Sequence, residues 1–495
     1  MNSTHYPIIM MLLFLIVGVS NPVIKKKFDN IEKTIIMSTF FIAISLAFYT
    51  FIFIKIEGPF FYNFGGWGRK FGIEFAIDGF SSLMSLLIVL LSAVIVWYSF
   101  RDIGHEMDDE NFISYYTIVF LLIFSMLGIT FSNDLFNIYV FMEILSLTSC
   151  GIISIKHKKV NFLASFRYLI LNTLGSLSFF FGIALLYMVT GHLNIIEMNL
   201  AIQQVWQVTP TNILLATGFI FIGLAIKSAL FPMHIWLPDA HSSAPSPSSA
   251  LLSGLVVKVY IFTMAKVIFN VLGKEISQAL DIDLFLSIFA AISMVMGSIF
   301  AIAQKDIKRM LAYSSVAQIG YMFLGIGIAT ELGLAAGFFH IFSHALMKSA
   351  LFLSAGAIIY KKDLRDISKF DGLGYELPIS MSVFTIAALG MIGIPGIVGF
   401  MSKFYLAEAV ILAGKPYFIV VILLSSFLNA IYYLPIIISA FIKKDPDREK
   451  LLEFDDIPRS MYTSLIILGF CMVLFGMFPN LLMNTITAVV PTFIN

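Results

Sequence analysis

Charge is scarce in this sequence: Asp, Glu, Lys and Arg make up 12% of 495 residues and nearly cancel, leaving a net charge of +1 at pH 7. A chain so sparsely and evenly charged offers no field for nucleic acid or acidic substrates, so charge matters here through position and not through its sum. Cysteine is almost absent. Cys150 and Cys471 both fall within apolar runs and make no CxxC or metal-type spacing, which excludes iron–sulfur ligation and a disulfide framework by this chain alone. No cofactor is expected, and any redox chemistry belongs to partners. Long Pro/Ser/Gly linkers and soluble-domain stretches are also missing, so residues 1–495 read as a single membrane domain. The first apolar run is followed by Lys25, Lys26 and Lys27 and then by another span, without a basic leader or a small-residue cleavage site. It is expected to be a retained helix.

What fills the sequence instead is apolar: 59% hydrophobic and 15% aromatic residues, with a mean hydropathy of +0.93, a balance outside the range of water-soluble globules. Crossing the hydrocarbon takes about 20 apolar residues per helix. Fourteen such runs are present, at 6–24, 34–54, 75–100, 113–131, 135–155, 162–190, 211–240, 248–271, 283–303, 307–329, 333–360, 378–412, 416–442 and 460–490. The expected fold is therefore an all-α polytopic membrane protein.

The loops test this assignment, because basic residues accumulate on the cytoplasmic side. Alternate loops hold Lys25–Lys27 and Lys33, Arg101, Lys156 to Lys159, Lys305 to Arg309, Lys361 to Lys369, and Lys443 to Arg459, which together carry twenty of the 31 Lys and Arg; the opposite loops hold five. An even number of spans with both termini outside follows, in a cell's inner (cytoplasmic) membrane.

Two spans carry breakers at their centres. The seventh has Pro232 and Pro238, and the twelfth has Gly393, Pro395 and Gly396; proline removes a backbone donor, so each should be discontinuous. The segments after the breaks, FPMHIWLPDA (231–240) and FMSKFYLAEA (400–409), align without gaps at an offset of 169, and the spans before them align at 173. This gives three N-terminal helices (1–112), one five-helix repeat (113–271), a second (283–442) and a last helix (460–490). Five is odd, so the second copy would be inverted, as in many transporters with broken helices at the midplane.

Charges at bilayer depth cost several kcal/mol each and mark ion pathways. Glu143 lies centrally in the fifth span, and Lys227 precedes the break of the seventh. A carboxylate facing an ammonium keeps its charge, whereas one left alone takes up a proton, so this pair reads as a proton-coupled switch, or else as a static ion pair fixing helix packing. Lys258 sits mid-span with no acid near it in sequence. Desolvation penalises only its charged form, which suits it to receive and release a proton. Lys266, eight residues on and near the helix end, is expected to snorkel to the interface. His340, His344 and Lys348 recur at i, i+4, i+8 and share one helix face. No third ligand accompanies the histidines, so no metal site is expected, and a proton relay fits better. Lys403 follows the second break and is the gapless counterpart of His234, placing a basic group just past each discontinuity.

FPMHIWLPDAHSSAPSPSSALLSGLVVKVY, AYSSVAQIGYMFLG, FHIFSHALMKSALFL and GIPGIVGFMSKF together resemble the antiporter-like subunits of respiratory complex I and of Mrp cation/proton antiporters. Within that superfamily the chain looks most like the D-type subunits of Mrp antiporters and their counterparts in membrane-bound hydrogenases, on its length, Lys403 and the loop GGWGRKFGIEFAID. The resemblance implies that Glu143 and Lys227 match the family's switch, Lys258 its central lysine, His344 its eleventh-helix relay and Lys403 its terminal lysine. It also implies other membrane subunits as partners, with H+ and Na+ as the ions moved. The alternatives left open are an ion-pumping subunit of a redox-driven complex, such as a hydrogenase, a sulfur-reducing complex or a quinone reductase, and an independent solute symporter.

Overall fold

The computed structural model describes residues 3–69, 72–107, 109–442 and 457–494; the basic loop Lys443–Lys450 lies outside the described residues. The fold is all-α and polytopic. α1 (Tyr6–Lys27), α2 (Asp29–Glu57), α3 (Gly79–Glu106), α4 (Asp109–Phe131), α5 (Leu135–Ser154) and α6 (Lys159–Thr190) are the first six crossings. A surface helix, α7 (Ile195–Val205), leads into the interrupted seventh crossing, α8 (Pro210–Lys227) with α9 (Trp236–Ser243). Then come α10 (Ser246–Leu272), α11 (Ile282–Ile302), α12 (Ile307–Gly327) and α13 (Glu331–Lys362). The twelfth crossing is split into α14 (Pro378–Ile392) and α15 (Val398–Leu412), and α16 (Tyr417–Phe441), α17 (Arg459–Met477) and α18 (Asn480–Val489) follow, with a last short turn of helix at Pro491–Ile494.

Thirteen helices among the described residues are long and apolar enough to cross a membrane by themselves. The fourteenth crossing needs both α14 and α15: each has 15 residues, about 22 Å of helix, short of a hydrocarbon core of about 30 Å.

Three expectations are corrected. The last span ends at Met477, not near 490, because Pro479 lacks a backbone donor and disfavours helix at Phe478 (φ −122°, ψ 61°). Residues 75–77 are not helix; strand Glu74–Ile77 pairs antiparallel with Phe60–Asn63, and α3 starts only after Asp78, which caps it reciprocally with Ser81. Pro238 does not break the seventh crossing. It lies in the first turn of α9, where a missing N–H leaves no intrahelical bond unmade. The break runs from Ser228 to Ile235 around Pro232, and the second from Gly393 to Ile397 around Pro395 and Gly396. Gly393 and Gly396 have φ of 99° and 90°, and a Cβ on Gly399 would stand 2.0 Å from the Gly390 carbonyl oxygen, so only glycine lets the two halves approach this closely.

Loop contacts sort the helix ends into two faces. On one, Glu74 accepts hydrogen bonds from Arg69 (2.9 Å), Asn133 (2.7 Å) and Asn194 (3.1 Å), clasping three loops. His5 meets Tyr62, and a Cβ on Gly79 would strike Val489, so both chain ends lie there. On the other, Glu106 pairs with Lys156 and accepts from Ser246 (2.7 Å), Asp239 holds Arg167 and Arg309, and Ile307 donates to the Arg365 carbonyl. This second face is the basic one.

Candidate functional site

The breaks and α10 position the polar side chains that run through the interior. At one edge, Glu143 on α5 points an oxygen at the Lys227 ammonium, 4.0 Å away, the outer limit of an ion pair. Lys227 is fully buried as the last residue of α8, where the negative end of the helix dipole favours a cation. It also donates to Ser146, one turn along α5 from Glu143, at 2.5 Å, and stands 5.8 Å over the Tyr260 ring. Glu143 itself is not fully enclosed: its side chain is 33% exposed, on the stripe that carries Phe136, Val140 and Leu147 to the outer surface.

Lys258 occupies the middle. It is 1% exposed and donates to the Ser253 carbonyl, which belongs to a π-helical segment, Leu252–Val256. A π-helical turn shifts the backbone hydrogen-bond ladder, and such turns gather at functional sites. Ser253 in turn meets Ser315 on α12 at 2.9 Å. Across from Lys258, α13 places His340, His344 and Lys348 within its electrostatic reach, all fully buried. The two imidazoles stack at 6.1 Å. Neither nitrogen of His344 has a hydrogen-bond partner among the described residues.

Two branches continue from there. Lys348 donates to the Leu311 carbonyl at 2.7 Å and to Ser314, whose hydroxyl meets Tyr433 at 3.0 Å. His340 meets Ser402 at 2.8 Å, next to Lys403. Lys403 reaches back across the break to the Met391 and Ile392 carbonyls (2.7 and 3.1 Å) and to Ser426 (3.0 Å), with Tyr321 4.9 Å beneath it. Those carbonyls end α14, so Lys403, like Lys227, sits at the C-terminal pole of a half-helix.

Of the eight residues singled out in the sequence, Glu143 meets Lys227, His340 stacks with His344, and Lys258, Lys348 and Lys403 are buried in the interior. His234 stands apart, stacked against Phe231 (5.2 Å) and Phe300 (5.8 Å). Lys266 does not snorkel: it is 4% exposed and donates to the Thr130 and Ser132 carbonyls at 2.7 and 3.1 Å. Those carbonyls end α4, and lining up with them outweighs reaching the interface.

Sequence reasoning missed a second cluster under the basic face. Lys308 is fully buried and donates to the Ala244 carbonyl at 2.6 Å. Asp102 lies buried one turn before the Glu106–Lys156 pair, and His241 is stacked on Phe352 at 5.2 Å within electrostatic reach of Lys308, Lys348 and Lys258. The i, i+4 spacing of Asp102 and Glu106 was the one signal in the sequence; counting Lys308 as a loop residue concealed it.

Comparison with known proteins bears on this arrangement. A family described as NADH:quinone oxidoreductase/Mrp antiporter, transmembrane, matches residues 132–429, a stretch that contains every residue from Glu143 to Lys403. The N subunit of the NADH-quinone oxidoreductase of Desulforudis audaxviator is 34% identical over 440 residues, 86% of each chain. The D subunit of the Na(+)/H(+) antiporter of Alkalihalophilus pseudofirmus is 31% identical over 390 residues, 79% of this chain and 78% of that one. Among solved structures, a chain of the membrane-bound sulfane sulfur reductase, an archaeal respiratory membrane complex, superposes with a TM-score of 0.91 at 27% identity, covering 100% of this chain and 98% of that one. A chain of the Mrp complex from Dietzia sp. does so at 0.88 and 23% identity, again over 100% and 98%, which speaks for the fold alone.

Proposed function

The chain belongs to the NADH:quinone oxidoreductase/Mrp antiporter transmembrane family, and from that membership we propose that it is the proton-translocating, antiporter-like subunit of a multisubunit Na+/H+ antiporter complex of the cytoplasmic membrane. The observation that supports this reading is the set of buried basic groups on and beside the two broken helices, with Glu143 paired to Lys227, His344 stacked on His340, and Lys258 and Lys403 each held by backbone carbonyls. A lone substrate pocket would need polar groups at one depth and one place; here they are spread over α5, α8, α10, α13 and α15. Glu143, a third exposed on a surface of large apolar residues, is costly in lipid. A neighbouring membrane subunit covering that surface removes the cost, which supports an assembly over an independent symporter. One broken helix in each half, each with a lysine at the pole of its first segment, supports the two inverted five-helix repeats.

The redox-driven alternative is favoured by two observations, the 34% identity to the N subunit of a quinone oxidoreductase and the superposition on a chain of the membrane-bound sulfane sulfur reductase at a TM-score of 0.91. The native complex, purified and assayed for flavin, nickel and iron and then tested in inverted vesicles with a pH-sensitive dye, decides between them. The antiporter reading expects no redox centre and a dye response to added NaCl; redox centres together with substrate-driven acidification would replace it with the alternative.

The basic face is proposed to be cytoplasmic and both termini external. Reporter fusions should place the loops at Lys156 to Lys159 and at Lys443 to Lys450 inside the cell. A fusion reporting either of them outside would invert the topology.

A further inference from the structure

A groove of about 1090 Å³ opens on the basic face where α2, the end of α3 and the start of α17 meet. Its long wall is apolar, made by Met37, Phe41 and Ile42 of α2 with Phe100 of α3. Phe41 is 74% exposed. Its polar end holds three cations, Lys33, Arg101 and Arg459, and among the described residues no carboxylate lines it. None of the three makes an ion pair with a described residue. The Lys33 ammonium lies 5.8 Å over the Phe100 ring. Trp97, one helical turn before Arg101 on α3, lines the groove and donates its indole N–H to Thr463 at 2.9 Å.

Along the membrane normal this gives cations first, an indole one turn deeper and bare apolar wall beyond. We propose that the groove binds an anionic phospholipid, its phosphate held by Lys33, Arg101 and Arg459 and an acyl chain laid along Met37, Phe41 and Ile42. The guanidinium forks of the two arginines suit phosphate oxygens. The α17 start adds amide donors that no side chain caps. A basic site between membrane helices on the positively charged side is the setting in which acidic headgroups are recognised, and the tryptophan stands at the level where aromatic residues mark the interface. A soluble anion would satisfy the cations and leave the apolar wall bare. A zwitterionic lipid would bring its own cation against the same three charges. The volume lies at the upper limit of small-molecule pockets, about 300–1,000 Å³, and suits a chain-bearing ligand better than a compact solute.

The test reads Trp97 directly. The full chain, in the assembly it purifies with, is placed in phosphatidylcholine vesicles containing brominated phosphatidylglycerol or, separately, brominated phosphatidylcholine. The Trp97 signal is the difference between wild type and Trp97→Phe. Brominated phosphatidylglycerol is expected to quench that signal at a mole fraction at least about fivefold lower than brominated phosphatidylcholine. The double variant Arg101→Gln/Arg459→Gln is expected to lose the preference while keeping the same quenching by phosphatidylcholine, which shows an intact fold. Millimolar inorganic phosphate should leave the preference in place. Equal quenching by the two lipids, a preference that survives in the double variant, displacement by inorganic phosphate, or no Trp97 quenching by either lipid, the mark of a protein partner covering the groove, would each overturn the proposal.

Discussion

Glu143→Ala is expected to abolish cation-dependent proton flux while the complex still assembles. The substitution leaves the Lys227 ammonium fully buried with only Ser146 and the face of Tyr260 to hold it. Removing one partner of a buried ion pair costs about 3–5 kcal/mol, and the partial exposure of Glu143 puts the cost at the low end of that range. That much is enough to slow a charge-coupled step by about a hundredfold, at about 1.4 kcal/mol per factor of ten. Glu143→Gln separates charge from packing, because it keeps shape and hydrogen-bonding capacity. It should fail to the same extent. Assembly is read by co-purification and flux by dye quenching in inverted vesicles; wild-type flux in either variant would reduce the pair to a packing element.

Lys258→Arg is expected to assemble normally and to lose most of the flux. The site is closed, and the lysine meets a single backbone acceptor, the Ser253 carbonyl of the π-helical segment. No carboxylate is paired with it among the described residues. Arginine keeps the charge and does not give up its proton. If Lys258 passes a proton between the Glu143–Lys227 pair and His344, the loss should approach that of a removed acid–base group, about 10²-fold or more. Lys258→Ala should fail as well. Near-normal transport by the arginine variant would show that fixed positive charge is all this position supplies, and the transfer role would be withdrawn.

Much of this protein is legible in its amino-acid order. Lipid is an undemanding solvent for pattern reading: each crossing announces itself by length and hydropathy, and every mid-span lysine is conspicuous because water cannot reach it. Pro232 and Pro395 coincide with the breaks, where a missing N–H weakens the backbone ladder, although Pro22 and Pro435 stand inside unbroken helices, and the alternation of basic loops gives an even number of crossings. Pro238 shows where that reasoning stops: the same residue is harmless once a new helix has begun two residues earlier, and only the backbone says where the new helix begins.

Tertiary structure decided which polar groups meet, because a lysine's four-carbon stem reaches several backbone acceptors and sequence does not rank them. Lys266 turned to the end of α4 and not to the interface, and Lys308 folded inward from a position counted as loop. The cluster of Asp102, Glu106, Lys156 and His241 draws on elements far apart in the chain. The exposure of Glu143 depends on which side of α5 its neighbours leave open. Composition and local pattern determined how the chain enters and leaves the membrane, since each crossing must satisfy its own backbone in lipid. Which buried polar groups meet came from packing between crossings, where hydrophobicity pulls no helix toward one neighbour over another and close-fitting side chains make the choice.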